Sequence, residues 1–231
     1  MKLEGEPFER SREQMVMKMI RKRDITVALV AIGATVGLVT LMGGQSASAA
    51  RVIAKADLKL ADGTAIGSVS FENPTDGATT IVKADLRVPI DKVPTRTFHG
   101  FHIHANNDLS NGLGCIADAT KVSNTWFVSA DGHFKHDPNE NHSAHAGDMP
   151  SIILNRDGTA HMEFTIDRVV AGELFDRVII LHAGADNYGN IPLGSGAAQY
   201  TANASDATTA TANTGNAGDR IACGVIDVTQ K

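Results

Sequence analysis

Nine histidines in a chain of 231 residues fall unevenly along it, and their spacing is the first sign of chemistry. In Gly100-Phe-His-Ile-His104 two imidazoles stand two apart in a strand-like run. Both therefore project from one face, about 6–7 Å apart, while Phe101 and Ile103 point the other way, toward a core. His133, His136, His142 and His145 share sixteen residues with several carboxylates, Asp148 closing the group. Imidazole with carboxylate suits zinc or copper rather than calcium or magnesium. His182 ends the apolar run Val178-Ile-Ile-Leu and opens a long loop. A polar strand face explains a lone His-x-His as often as a ligand pair does, and a solvated loop can be His-rich. The strand pair, the loop cluster and the strand-end histidine together point to a multi-histidine metal centre. His99 lies out of register with the pair and reads as structural. His161 alternates with Thr159, Glu163 and Thr165 on a polar strand face, which predicts exposure.

Short strands with turn punctuation must position these donors. Arg51 to Leu60 alternates Val52, Ala54, Ala56, Leu58 and Leu60 on one face, and Ala61-Asp-Gly63 supplies a turn. Further strand-like runs pass through Ile66, Val69 and Phe71, then Ala78–Val88, Phe98–His104 and Ser151–Leu154. Asn155-Arg-Asp-Gly158 is a hairpin signal leading into Thr159–Ile166, and the last runs are Val178–His182 and Ile221–Val228. With almost no helical periodicity, the pattern predicts an all-β domain, an antiparallel sandwich or barrel of about eight strands. Two long stretches interrupt it, Ala105–Pro150 and Ala183–Asp219, and loops of that length are usually functional. The Ala/Thr/Asn-rich part from Ala197 to Thr214 reads as surface loop.

The first fifty residues read differently. Met1–Asp24 carries seven Lys/Arg against five acids, Ile25–Met42 has no charge, and Ala47-Ser-Ala49 follows. This is either a secretory signal cleaved before Ala50 or an uncleaved membrane anchor through residues 25–42. In both cases residues 51–231 form the exported domain: secreted, periplasmic-equivalent, or anchored on the outer face of the bacterial cytoplasmic membrane. Of the chain's 21 basic and 26 acidic residues, 14 and 21 remain after Asp24, so the net charge moves from −5 to −7. That balance, with 5% aromatic residues, excludes nucleic acid as a partner class. Two cysteines in an exported chain favour a pair.

Gly100-Phe-His-Ile-His104, Gly132-His-Phe134, His145-Ala-Gly-Asp148, His182-Ala-Gly-Ala-Asp186 and Gly218-Asp-Arg220-Ile-Ala-Cys-Gly224 occur in one order. Over about Val52–Val228 the series resembles the copper/zinc superoxide dismutases, especially exported bacterial forms. The resemblance implies a Greek-key β-sandwich or barrel. It implies His102, His104 and His182 as copper ligands, with His133 shared between copper and zinc. It implies His142, His145 and Asp148 completing the zinc site, and Asp186 orienting one ligand of each metal. It further implies Arg220 beside the open copper position, attracting a small anion, and a Cys115–Cys223 disulfide. At 108 residues of separation, loop entropy would give such a bond about 4–5 kcal/mol as an upper figure.

The implied reaction converts two superoxide anions and two protons to dioxygen and hydrogen peroxide, with His133 handling a proton. The alternative is a catalytically weak relative that stores or delivers copper and zinc in the cell envelope. Pairing into a homodimer is open in this family. Three departures stand out. His142 lies only three residues before His145, with His136 as a competing donor. The loop from Cys115 to His133 is longer than in animal forms, with Trp126-Phe127 placed to dock it. No Lys or Arg lies between His182 and Arg220.

Overall fold

The computed structural model describes residues 51–73, 79–190 and 205–229. The basic segment, the apolar run 25–42 and the cleavage motif lie outside them. Among the described residues no helix is long and apolar enough to cross a membrane.

Nine strands form the described fold: β1 (Arg51–Leu60), β2 (Ala65–Asn73), β3 (Thr80–Arg87), β4 (Thr97–His99), β5 (Phe101–His104), β6 (Ile152–Leu154), β7 (Thr159–Ile166), β8 (Val178–His182) and β9 (Arg220–Val228). Seven make one curled antiparallel sheet in the order β5-β8-β9-β1-β2-β3-β7, and β4 pairs with β6. The order is non-sequential, as in an all-β Greek-key barrel, because β8 and β9 insert between β5 and β1. Strand alternation builds the core: Ala54, Ala56, Leu58 and Leu60 of β1 meet Val69, Phe71, Val82, Leu86, Phe101 and Ile103. Val52, expected on the same face, is exposed at the strand's start. A smaller cluster joins Phe127, Ala130, Val178, Ile180 and Cys223, with Trp126 packed against it. The long loop is docked there, as the aromatic pair predicts.

Three expectations are corrected. The run Phe98–His104 is two strands, because the chain changes partner at Gly100. His99 pairs with Ile152, whereas Phe101 pairs with Leu181. A side chain at Gly100 would press on Ala217 Cβ at 2.6 Å and on the His102 ring at 3.0 Å, so the crossing needs glycine. The Asn155–Gly158 turn forms, with Gly158 N donating to Asn155 O at 3.0 Å. Yet its flanking strands pair elsewhere, β6 with β4 and β7 with β3. Lastly, Ser205–Thr214, read as surface loop, is an α-helix, α1. Its composition is helix-permissive, and its C-terminal end is held by tertiary bonds described below.

Candidate metal centre

Three imidazoles are delivered by the sheet. His102 and His104 extend from β5, and Phe101 and Ile103 alternate with them into the core. β5 pairs with β8, so His182 at the end of β8 lies beside them, and across the next pairing His182 faces Arg220. His133 joins through a bridge to His104. All four rings are buried. One nitrogen from each lies within 4.8 Å of the others.

The partner of each second ring nitrogen decides which atom points inward. His104 Nδ1 faces Asp131 O at 2.8 Å and His182 Nδ1 faces Gly218 O at 3.0 Å. A carbonyl only accepts, so both Nδ1 atoms carry the proton in the neutral rings. Their Nε2 atoms, 3.4 Å apart, are then two lone pairs converging on one point. His102 Nε2 donates to Asp186 Oδ2 at 2.8 Å, which leaves its buried Nδ1 without a partner. His133 Nε2 is also buried and unpartnered. Buried polar atoms are rarely left unsatisfied, so four converging imidazole lone pairs fit a resident cation.

The second group hangs on the loop. His133 Nδ1 lies 2.7 Å from Asp148 Oδ1, His142 Nδ1 3.0 Å and His145 Nδ1 3.3 Å. His145 Nε2 faces Glu140 O at 3.1 Å and His142 Nε2 faces the Asp186 carboxylate at 2.8 and 2.9 Å, again directing Nδ1 inward. His142 Nδ1 is close to Asp148 but makes no directed hydrogen bond. Three imidazole nitrogens around one carboxylate oxygen, with too few protons among them, match a three-His, one-Asp zinc site. Helix α1 (Ser205–Thr214) supports this loop: His142 N donates to Ala212 O at 3.1 Å, and Asn187 Nδ2 donates to Thr211 Oγ1 at 2.9 Å. At the helix end, a Cβ on Gly215 (φ +60°) would fall onto the Asp186 carboxylate.

Electrostatics separate the two groups. Burial pushes His104 and His182 well below the usual imidazole range, helped by repulsion from neighbouring imidazoles and Arg220. Burial also lowers His102, against the pull of Asp186, and takes His133 down to about 3, against that of Asp148. For His142 burial works the same way, but the adjacent carboxylates of Asp148 and Asp186 win and raise it to about 9. Burial opposes ionisation of Asp148 and Asp186, yet their histidine partners hold both well below the usual carboxylate range.

Every residue expected in the site is therefore in one place. Asp186 spans His102 and His142 with one carboxylate. Arg220, half-buried, donates to Phe127 O at 2.5 Å and to Asp131 O. Cys115 and Cys223 are disulfide-bonded. His136 stays outside both groups, exposed and 2.8 Å from Glu173 Oε1. His99 is buried between His182 O and Pro94 O. His161 is exposed beside Asp85. What sequence reasoning missed are the carbonyls of Glu140, Gly218 and Asp131 that set the ring orientations. Backbone acceptors have no residue signature, though Asp131, two before His133, was nameable.

Comparison with known proteins agrees with this geometry. Residues 65–226 match the family described as copper/zinc superoxide dismutase. A superoxide dismutase [Cu-Zn] of Mycolicibacterium paratuberculosis is 32% identical over 189 residues, covering 79% of this chain and 77% of that protein. An extracellular superoxide dismutase [Cu-Zn] of Brugia pahangi is 28% identical over 175 residues, covering 72% and 71%. Among solved structures, that of the clock protein EA4 superposes with a TM-score of 0.53 at 23% identity, covering 76% of this chain and 93% of that one. This last likeness concerns the fold alone. The chain belongs to the copper/zinc superoxide dismutase family.

Proposed function

We propose that the chain is a superoxide dismutase, converting two superoxide anions and two protons to dioxygen and hydrogen peroxide. The observation that carries this is the four-imidazole cluster with a permanently charged guanidinium next to it. His102, His104, His133 and His182 would hold copper, through the inward-facing nitrogens described above. His133, His142, His145 and Asp148 would hold zinc, and serving both sites would require His133 to lose both ring protons. When bound, copper would supply the one-electron couple that the two halves of the reaction need.

The chain's own residues do the remainder. Arg220 draws in and orients the anion as a fixed cation. His133 is placed to take up and hand on a proton at Nε2 when that nitrogen is not held by the metal. Asp186 fixes ring orientations on both sides through His102 and His142, so the two sites are set together. Dismutases of this family are themselves a standard case of electrostatic steering. With a net charge of −7 after Asp24, attraction here depends on where Arg220 sits.

The N-terminal fifty residues, with their basic flank and apolar run, act as an export signal or anchor that places the domain outside the cytoplasm. The disulfide is consistent with that compartment. Metal analysis and a dismutation assay on the full chain test the function. One copper and one zinc per chain with turnover are expected, and His182→Ala should lose copper and fall to the uncatalysed rate. Copper and zinc retention without turnover would favour storage or delivery instead.

A further inference from the structure

One backbone carbonyl is shared by the copper-side ring set and the cation. Asp131 O accepts from His104 Nδ1 at 2.8 Å and also from Nη2 of Arg220. Its own residue sits at φ +62°, ψ −158°, a region populated essentially by glycine and sustained elsewhere only by surrounding structure. The side chain supplies that structure. Asp131 Oδ2 accepts from Asn107 N at 2.6 Å and Asp108 N at 2.8 Å, and Oδ1 accepts from Asn111 Nδ2 at 2.7 Å.

Asp131 also ends the single 3-10 turn Val128–Ala130, its N donating to Val128 O at 3.0 Å. The residue at the turn's other end, Phe127, offers the second carbonyl to Arg220. Ser129, inside the turn, donates to Gly114 O at 2.6 Å and accepts from Ile116 N at 3.1 Å. A turn pinned by side chains on both flanks thus presents two carbonyls to one guanidinium. A carboxylate whose contacts were only local would not determine where a metal-site ring and a cation stand. Here the restrained peptide is the one that bonds both.

We propose that Asp131 is a positioning residue: its carboxylate, anchored on Asn107, Asp108 and Asn111, fixes the carbonyl that holds the His104 ring and the Arg220 guanidinium in one arrangement. This rests on the dismutase reading only in that an anion is what Arg220 receives. The test uses the full chain loaded with copper and zinc, titrated with azide as the anion probe, and followed by the copper(II) paramagnetic spectrum.

Asp131→Ala is expected to weaken azide about tenfold, the size of one misplaced hydrogen bond to a charged group, and to shift the copper spectrum. Arg220→Ala is expected to weaken azide and leave the spectrum in place. In the double variant the azide losses should not add, because Asp131 acts through Arg220. Asp131→Asn, which keeps an acceptor oxygen for the loop, should restore most of both signals. If Asp131→Ala fails to fold, Asn111→Ala removes one anchor and should move both readouts in the same direction by less. Wild-type azide affinity and spectrum in a folded Asp131→Ala protein, with only its thermal midpoint lowered, would overturn the proposal. So would additive losses in the double variant. A protein that binds copper and azide but fails to dismutate overturns the functional reading and leaves this one standing.

Discussion

The two halves of the candidate metal centre, one proposed for copper and one for zinc, are built by different means. On the copper side, His102, His104 and His182 come from paired strands, and two of the three rings are fixed by backbone carbonyls. On the zinc side, His142, His145 and Asp148 come from a loop, and carboxylates contact His133, His142 and His145. A carbonyl favours the protonated ring too weakly to offset burial, so His104 and His182 are driven neutral. Carboxylates add charge, and His142 is driven the other way, to about 9. A site made from strands is thus ready for a metal cation in its uncharged form. On the loop side the proton on His142 offsets the carboxylates in the metal-free state.

That contrast can be broken most sharply at the one group touching both halves. Asp186→Ala frees His102 and His142 together, and should weaken both copper and zinc retention by about 10–100-fold, the usual cost of losing an orienting partner. Competition against graded chelators measures it. Loss at one metal alone would show that the two sides are set independently.

A smaller effect separates the halves by pH in the metal-free chain. His142 has a folded pKa of about 9 against about 6.5 unfolded, so its stabilisation is complete below pH 6.5 and lost as pH rises through 9. The copper-side imidazoles have lowered pKa values. They cost nothing above pH 6.5 and destabilise increasingly below it, for His133 down to about 3. Urea midpoints from pH 4.5 to 9.5 should therefore decline at both ends. His142→Ala should remove the decline above pH 6.5 and keep the acid-side one. An unchanged alkaline limb in that variant would detach the effect from His142.

The smallest effect expected is at the competing donor. His136 is exposed and paired with Glu173, so His136→Ala should leave zinc stoichiometry and dismutation unchanged. A loss of half the zinc or more in that variant would return His136 to the site.

Much of this was legible before any coordinates. The alternation of β1 and the His-x-His pair of β5 follow from the two-residue strand period, which places Phe101 and Ile103 inside whenever His102 and His104 face the site. The helix α1 was not legible, since Thr and Asn rank low in helix preference and offset Ala, and the segment carries no amphipathic stripe. Its bonds to His142, Asn187 and Asp186's neighbourhood are tertiary. Nor was the break at Gly100 legible, because it depends on Ala217, more than a hundred residues away.

Residue types and spacing alone marked out a multi-histidine cluster, its division into strand-borne and loop-borne groups, and two cysteines, while the ligand set and the family came from the resemblance of the ordered motifs to the copper/zinc superoxide dismutases. Side-chain types and the strand period are sufficient for the cluster, since ligand chemistry resides in side chains. The tertiary structure decided which nitrogen of each ring points inward, that Asp186 faces both halves, that His136 lies outside both groups, and that one carbonyl at Asp131 serves His104 and Arg220 together. Those outcomes rest on hydrogen bonds to backbone carbonyls and on contacts across dozens of residues. Every peptide offers the same carbonyl, so only the fold can choose which one is used.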